Sequence, residues 1–104
     1  MINGKAWKIC FVSSKDPRLF RSDGSLTLGS CDYSIKTIFI ADNLTDKKLK
    51  KVLCHELTHA AMFSYDVSLT LEQEELLADL IATYGEEIVS ITNKVFAKLK
   101  RGRY

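Results

Sequence analysis

Val52-Leu53-Cys54-His55-Glu56-Leu57-Thr58-His59-Ala60 is the stretch whose reading decides this chain. It holds His-Glu-x-x-His, and its first and last members are the only 2 histidines among 104 residues. On a helix, residues four apart share a face, with Cβ atoms about 5–6 Å apart. Two imidazoles so placed can aim ring nitrogens at one ion, at about 2.0–2.1 Å each if it is zinc. Glu56 is one residue on from His55, so it points round the helix, beside a water on the ion rather than at the ion. A carboxylate there can take the water's proton and later deliver it to a leaving amine. Residue types and spacing together are those of metal-assisted hydrolysis.

Three fixed letters need context. The stretch lies in an apolar-periodic helix whose stripe is Leu49, Leu53, Leu57, Ala60 and Ala61. Thr45 is placed to cap that helix and Asp46 to favour its N-terminal end, and the pattern runs to about residue 63 or 64. A zinc site needs one more ligand, and acids follow at Glu74, Glu75 and Asp79. Thr70 and Gln73 form a capping box that opens the next helix just before them. Glu72 and Glu74 read as solvated first-turn carboxylates favoured by the helix dipole, although Glu74 also tops the apolar stripe. Glu75 and Asp79 share a face with Ala78 and Ala82, small residues that admit a neighbouring helix. A longer Glu75 can reach an ion as third ligand. A shorter Asp79 can accept the far N–H of a ligating histidine and fix its tautomer.

At these residues the chain resembles a known family. His55-Glu56-Leu57-Thr58-His59-Ala60 is similar to the motif helix of the thermolysin-like zinc peptidases, the gluzincins, and Glu75-Leu76-Leu77-Ala78-Asp79 resembles their second element. The small size and Glu75-x-x-Ala78-Asp79 also resemble the ImmA/IrrE-type metallopeptidases of bacteria, phages and mobile elements. The resemblance covers about residues 35–85. It implies a minimal zincin-like fold and a Zn2+ cofactor held by His55, His59 and Glu75. It further implies Glu56 as catalytic base, Asp79 supporting a histidine, and a regulatory protein such as a repressor as substrate. The large helical domain of thermolysin and its downstream catalytic histidine have no counterpart here.

The totals are compatible with that reading. A chain of 104 residues, 46% hydrophobic and 27% charged, predicts one folded domain over 1–104 rather than a disordered chain. A net charge of +2 says little about partners. No apolar run approaches the roughly 18–20 residues of a membrane span, and the start lacks a signal-peptide core, so a cytoplasmic protein is expected. Cys10, Cys31 and Cys54 show no paired metal spacing and read as small hydrophobes in a reducing compartment.

Strand signals precede the motif helix. Residues 7–12 and 26–31 are β-rich, with Gly29 marking a bulge or close approach, and residues 34–40 give the clearest strand. Ser22-Asp23-Gly24-Ser25 signals a turn between them. Strands first and helices after predict an α+β layer, with a small antiparallel or mixed sheet against the motif helix and a long C-terminal helix. In the families resembled, an edge strand before the metal helix pairs with extended substrate. Residues 35–40 hold that place in the sequence, and an ordinary buried strand fits them equally well.

The last helix is apolar at Leu77, Ile81, Tyr84, Ile88, Ile91, Val95 and Leu99, and Gly85 kinks or splits it. Its far half suits the sheet or a second subunit, so a homo-oligomer through this helix is one expectation. Residues 98–103 read as a frayed basic tail. Lys47, Lys48, Lys50 and Lys51 read as a solvated face rather than a nucleic-acid site. Tyr33 and Tyr84 are the phenols available to stabilise an oxyanion. The function expected is a zinc metalloendopeptidase. The alternatives are a zinc amidohydrolase acting on a non-peptide substrate and a zinc-binding interaction module without activity.

Overall fold

A computed structural model describes residues 1–21 and 24–103 of the chain. Its elements are strand β1 (Lys8–Val12), a 3-10 turn (Pro17–Leu19), β2 (Gly29–Asp32), β3 (Thr37–Ala41), and helices α1 (Asp46–Ser64), α2 (Leu71–Leu80) and α3 (Glu86–Arg103). A π-helical turn, Ile81–Gly85, joins α2 to α3. The fold is α+β, as the order of elements predicts.

β3 is Thr-Ile-Phe-Ile-Ala and is buried along its whole length. A strand alternates its side chains between faces, so such a sequence needs cover on both. Ile38 and Ile40 pack with Ala60 against Leu49, Val52, Leu53 and Leu57 of α1. Phe39 and Ala41 pack on the other face with Val12 and Leu19. The sheet order is β1-β3-β2, with β1 parallel and β2 antiparallel to β3. The sheet is therefore mixed, and β3 is its centre. Residues 35–40 do not supply an edge strand but the buried one; β1 and β2 are the edges, and β2 is the edge beside the α1 motif.

β2 begins later than its sequence suggests. Thr27 bonds to the carbonyl of Leu19 through its N–H at 2.9 Å and its hydroxyl at 2.6 Å, which ties residues 26–28 to the end of the 3-10 turn. The turn expected at 22–25 falls partly outside the described residues; Gly24 has φ +85°. Asp32 Oδ1 accepts from the N–H and hydroxyl of Ser34, and Lys36 has φ +48°, so residues 32–36 make the turn into β3.

α1 spans the expected length, but its cap differs. Thr45 has the extended cap backbone, and its carbonyl accepts from Leu49 N–H at 2.7 Å, yet its hydroxyl makes no capping bond. At the other end the N-terminal segment closes the helix. Trp7 Nε1 donates to Ser64 Oγ at 2.8 Å, and Asn3 Nδ2 to the Ser64 carbonyl at 2.9 Å. That carbonyl is one of the terminal acceptors a helix cannot satisfy itself. In α2 the predicted capping box is present, with Thr70 and Gln73 bonded reciprocally.

The interruption expected at Gly85 takes the form of the π turn, and beyond it the chain stays helical to Arg103 rather than fraying at 98. α3 reaches neither the sheet nor α1 as a packed layer; among the described residues its backbone packs on the π turn, and its first residue alone pairs with α1. Lys50 and Glu86 form an exposed ion pair at 2.9 Å near its start. None of the described helices is long and apolar enough to cross a membrane.

Candidate metal centre

His55 and His59 sit one turn apart on α1, on the face turned toward α2. Their Nε2 atoms converge to 3.2 Å. Glu75, in the first half of α2, brings Oε1 to 2.8 Å from His59 Nε2 and Oε2 to 3.4 Å from His55 Nε2. The donor atoms of His55, Glu56 and His59 lie within 4.8 Å of one another. Glu56 Oε2 is 3.9 Å from His55 Nε2, adjacent to the convergence point and not at it.

The far side of each imidazole meets a different acid. His59 Nδ1 lies 2.6 Å from Glu74 Oε1, and His55 Nδ1 lies 2.9 Å from Asp79 Oδ1. A carboxylate at each Nδ1 favours the tautomer that carries its proton there and leaves Nε2 to an ion. Both Nε2 atoms and the Glu75 carboxylate then point to one place, as the donors of a metal site do. Two donors about 2.0–2.1 Å from a tetrahedral ion stand roughly 3.3 Å apart, which is close to the Nε2 separation observed. Two imidazoles and a carboxylate, with a carboxylate beside them, fit zinc in kind and in spacing.

Three further observations concern the acids. Glu74 is the most enclosed of those on α2, at 17% side-chain exposure, whereas Asp79 is at 69%. This reverses the sequence reading, in which Glu74 is a solvated first-turn carboxylate and Asp79 lies deeper. Tyr33 explains the reversal: its ring stacks on Phe63 at 4.9 Å between centroids, and its hydroxyl donates to Glu74 Oε1 at 2.8 Å. Burial raises the Glu74 pKa, but the bonds from His59 and Tyr33 outweigh it and hold the carboxyl below its ordinary value.

Burial pushes the Glu56 carboxyl above its ordinary value, against the pull of the two histidines. Desolvation, followed by the bond to Glu74, raises the Tyr33 phenol. That phenol is committed to Glu74, and Tyr84 stands half exposed on the π turn outside the cleft, so neither candidate oxyanion phenol is free at the site. The Cys31 thiol is pushed up to about 12 by burial and by Glu56 and Glu74. The three cysteines are free and partly buried, and Cys54 does not line the cleft.

The cleft has a volume of about 390 Å³ and runs between β2 and the two helices. Gly29, Ser30 and Cys31 of β2 form one wall; Phe20, Tyr33 and Leu71 add apolar surface. A Cβ on Gly29 would come within 2.8 Å of Val52 Cγ1 and 3.0 Å of Glu56 Cγ. Only glycine lets the edge strand approach α1 this closely. Gly29→Ala is expected to cost about 1–3 kcal/mol of stability through overpacking and to displace Glu56. Thermal melts and turnover measured side by side check this; an unchanged melting temperature with unchanged turnover refutes it.

Glu74→Ala and Asp79→Ala are each expected to weaken zinc binding by about 10–100-fold, since each removes the acceptor that orients an imidazole. The more enclosed Glu74 is expected to give the larger loss. Competition titration against a chelating dye reads both constants.

The α1 motif, the acids of α2 and the edge strand beside them define a metallopeptidase-type site. Residues 13–87 match the peptidase family described as the IrrE N-terminal-like domain, and the chain belongs to that family. The match takes in β2, β3, α1, α2 and the π turn, and leaves out β1 and nearly all of α3. No curated protein and no solved structure matches the chain.

Proposed function

We propose that this chain is a zinc-dependent metallopeptidase that cleaves a peptide bond, with His55, His59 and Glu75 holding the ion. The observation that carries the proposal is the convergence of both Nε2 atoms on the Glu75 carboxylate while each Nδ1 is held by its own acid. Bound zinc would polarise the scissile carbonyl and lower the pKa of a water to about 7. Glu56 accepts that water's proton. Its raised pKa suits the task, because a carboxyl that holds a proton more readily than usual can carry it to the leaving amine. Glu74 and Asp79 keep the imidazoles in the tautomer that presents Nε2.

An extended peptide fits alongside β2, where main-chain hydrogen bonds to a free strand edge give affinity without demanding one sequence. Phe20, Tyr33 and Leu71 favour apolar side chains next to the cleaved bond. The substrate in this reading is a peptide segment of a regulatory protein, met in the cytoplasm.

Protein purified without added metal is expected to contain about one zinc per chain, and chelation is expected to abolish peptide hydrolysis and lower the melting temperature. Ligand binding to the folded state alone contributes about 2.7 kcal/mol at a hundredfold excess over Kd. Elemental analysis, a peptide library and a thermal melt make the test. Absence of transition metal together with no zinc uptake on titration ends the proposal.

A further inference from the structure

The C-terminal helix carries an apolar row that nothing in the described structure covers. Ile88, Ile91, Val95 and Leu99 are 55, 51, 49 and 59% exposed, and Tyr84, at 52%, extends the row back into the π turn. α3 is 18 residues long and, past the Lys50–Glu86 pair at its start, packs only on the turn before it among the described residues. Isolated helices of about 12–15 residues are marginal in water, and it is the packing of an apolar face that normally stabilises them. The row lies almost wholly outside the matched peptidase region, which ends at residue 87. It is therefore separate from the metal centre.

The charges beside the row say what fits it. Within α3, Ile88 and Val95 stand seven residues apart with Ile91 between them, a short coiled-coil seam that ends at Lys98, and the exposed Val89 and Phe96 widen the apolar face on one side. One flank of the seam carries Glu87, Lys94 and Arg101; the other carries Gly85, Thr92 and Leu99. In a parallel pair of copies opposite flanks meet, so Glu87 would face Thr92 and Lys94 would face Leu99. No ion pair would form, and Lys98, Lys100 and Arg101 of both copies would crowd together. In an antiparallel pair like flanks meet. With Ile88 over the second copy's Ile91, Glu87 comes opposite the second copy's Lys94, and two-fold symmetry makes that pair twice. The helix dipoles also oppose one another in this orientation.

We propose that α3 is a dimerisation element, in which two copies of this chain pack their Ile88–Ile91–Val95 rows antiparallel and flank them with reciprocal Glu87–Lys94 pairs. The partner is a second copy because the helix is complementary in charge to its own reverse.

Sedimentation velocity on the whole chain, from low micromolar to about 200 µM, tests this by mass action. The wild-type protein is expected to pass from monomer to dimer across that range. Ile88→Glu with Ile91→Glu is expected to stay monomeric with its zinc content unchanged. Because charges in the row could instead melt the helix, the deciding arm changes only its flank. Glu87→Lys and Lys94→Glu, each alone, are expected to raise the dimer Kd roughly tenfold, since two attractive pairs become two repulsive ones. Mixed one to one, the two variants are expected to dimerise about as tightly as wild type, because at positions 87 and 94 one copy then carries two bases where the other carries two acids. A wild-type protein that remains monomeric at the highest concentration overturns the proposal and leaves the row to another partner. So does a mixture no more associated than its components.

Discussion

Glu56→Gln is expected to bind zinc at the wild-type stoichiometry and to lose about 10²–10⁴-fold in turnover, the usual range for removing a general base. The substitution keeps the side chain's size and hydrogen-bonding reach and removes only its capacity to take a proton. Glu56 is buried and its Oε2 stands 3.9 Å from the nearest imidazole nitrogen, so the amide should leave His55, His59 and Glu75 where they are. Single-turnover cleavage of a fluorogenic peptide, beside a zinc determination on the same sample, reads both quantities. Wild-type turnover, or loss of the metal with the activity, removes Glu56 from the role assigned to it.

The same variant has a second signature in the metal-free protein. Burial raises the Glu56 pKa in the folded state above its unfolded value. A carboxyl shifted in that direction binds its proton more tightly when folded, so stability falls as pH rises from the unfolded pKa through the folded one. At neutral pH the charged form is a cost to the fold, and Gln does not carry it. Metal-free Glu56→Gln is therefore expected to melt above metal-free wild type at pH 7, with the difference shrinking toward pH 4. A group kept for its chemistry at the expense of stability behaves in this way.

Glu75→Ala is expected to abolish tight zinc binding, and activity with it. Glu75 is the one acid whose two oxygens reach both Nε2 atoms, at 2.8 and 3.4 Å. Without it the two imidazoles hold an ion from one helix only, and the link that zinc makes between α1 and α2 is lost. Glu75→Gln should also fail, since a neutral amide oxygen is a poor zinc ligand compared with the carboxylate, nitrogen and thiolate donors such sites use. Isothermal titration with zinc reads the loss. The metal-free proteins should melt within a degree or two of metal-free wild type, because Glu75 is partly exposed and, among the described residues, its ion pairs are with the histidines alone. Tight zinc binding by Glu75→Ala would transfer the third position to another acid while leaving both histidines in place.

The sequence by itself determined the parts of this site that are local. His55 and His59 share a helix face because four residues is close to one turn, and Glu56, one residue on from His55, lies round the helix beside them for the same reason. The capping box at Thr70 and Gln73 set where α2 starts, and so set Glu75 and Asp79 on one face. The β-rich residues 34–40 marked a strand, but left an edge strand and an ordinary buried one equally open; burial on both faces in the structure made it the central strand.

Other features required the tertiary structure, because they depend on what lies across from each residue. Which acid is solvated is one of them. Glu74 and Asp79 carry the same charge on the same helix, and only the arrival of Tyr33, stacked on Phe63 of α1, encloses Glu74 while Asp79 remains open. Which strand borders the cleft is another, since a period of two tells a strand's faces and not its neighbours. The contact of Gly29 with Glu56 joins two segments that local patterning treats separately. The apolar row of α3 was legible as a stripe. That it meets no other element among the described residues follows only from where the π turn directs the helix, away from the sheet that such a stripe would otherwise cover.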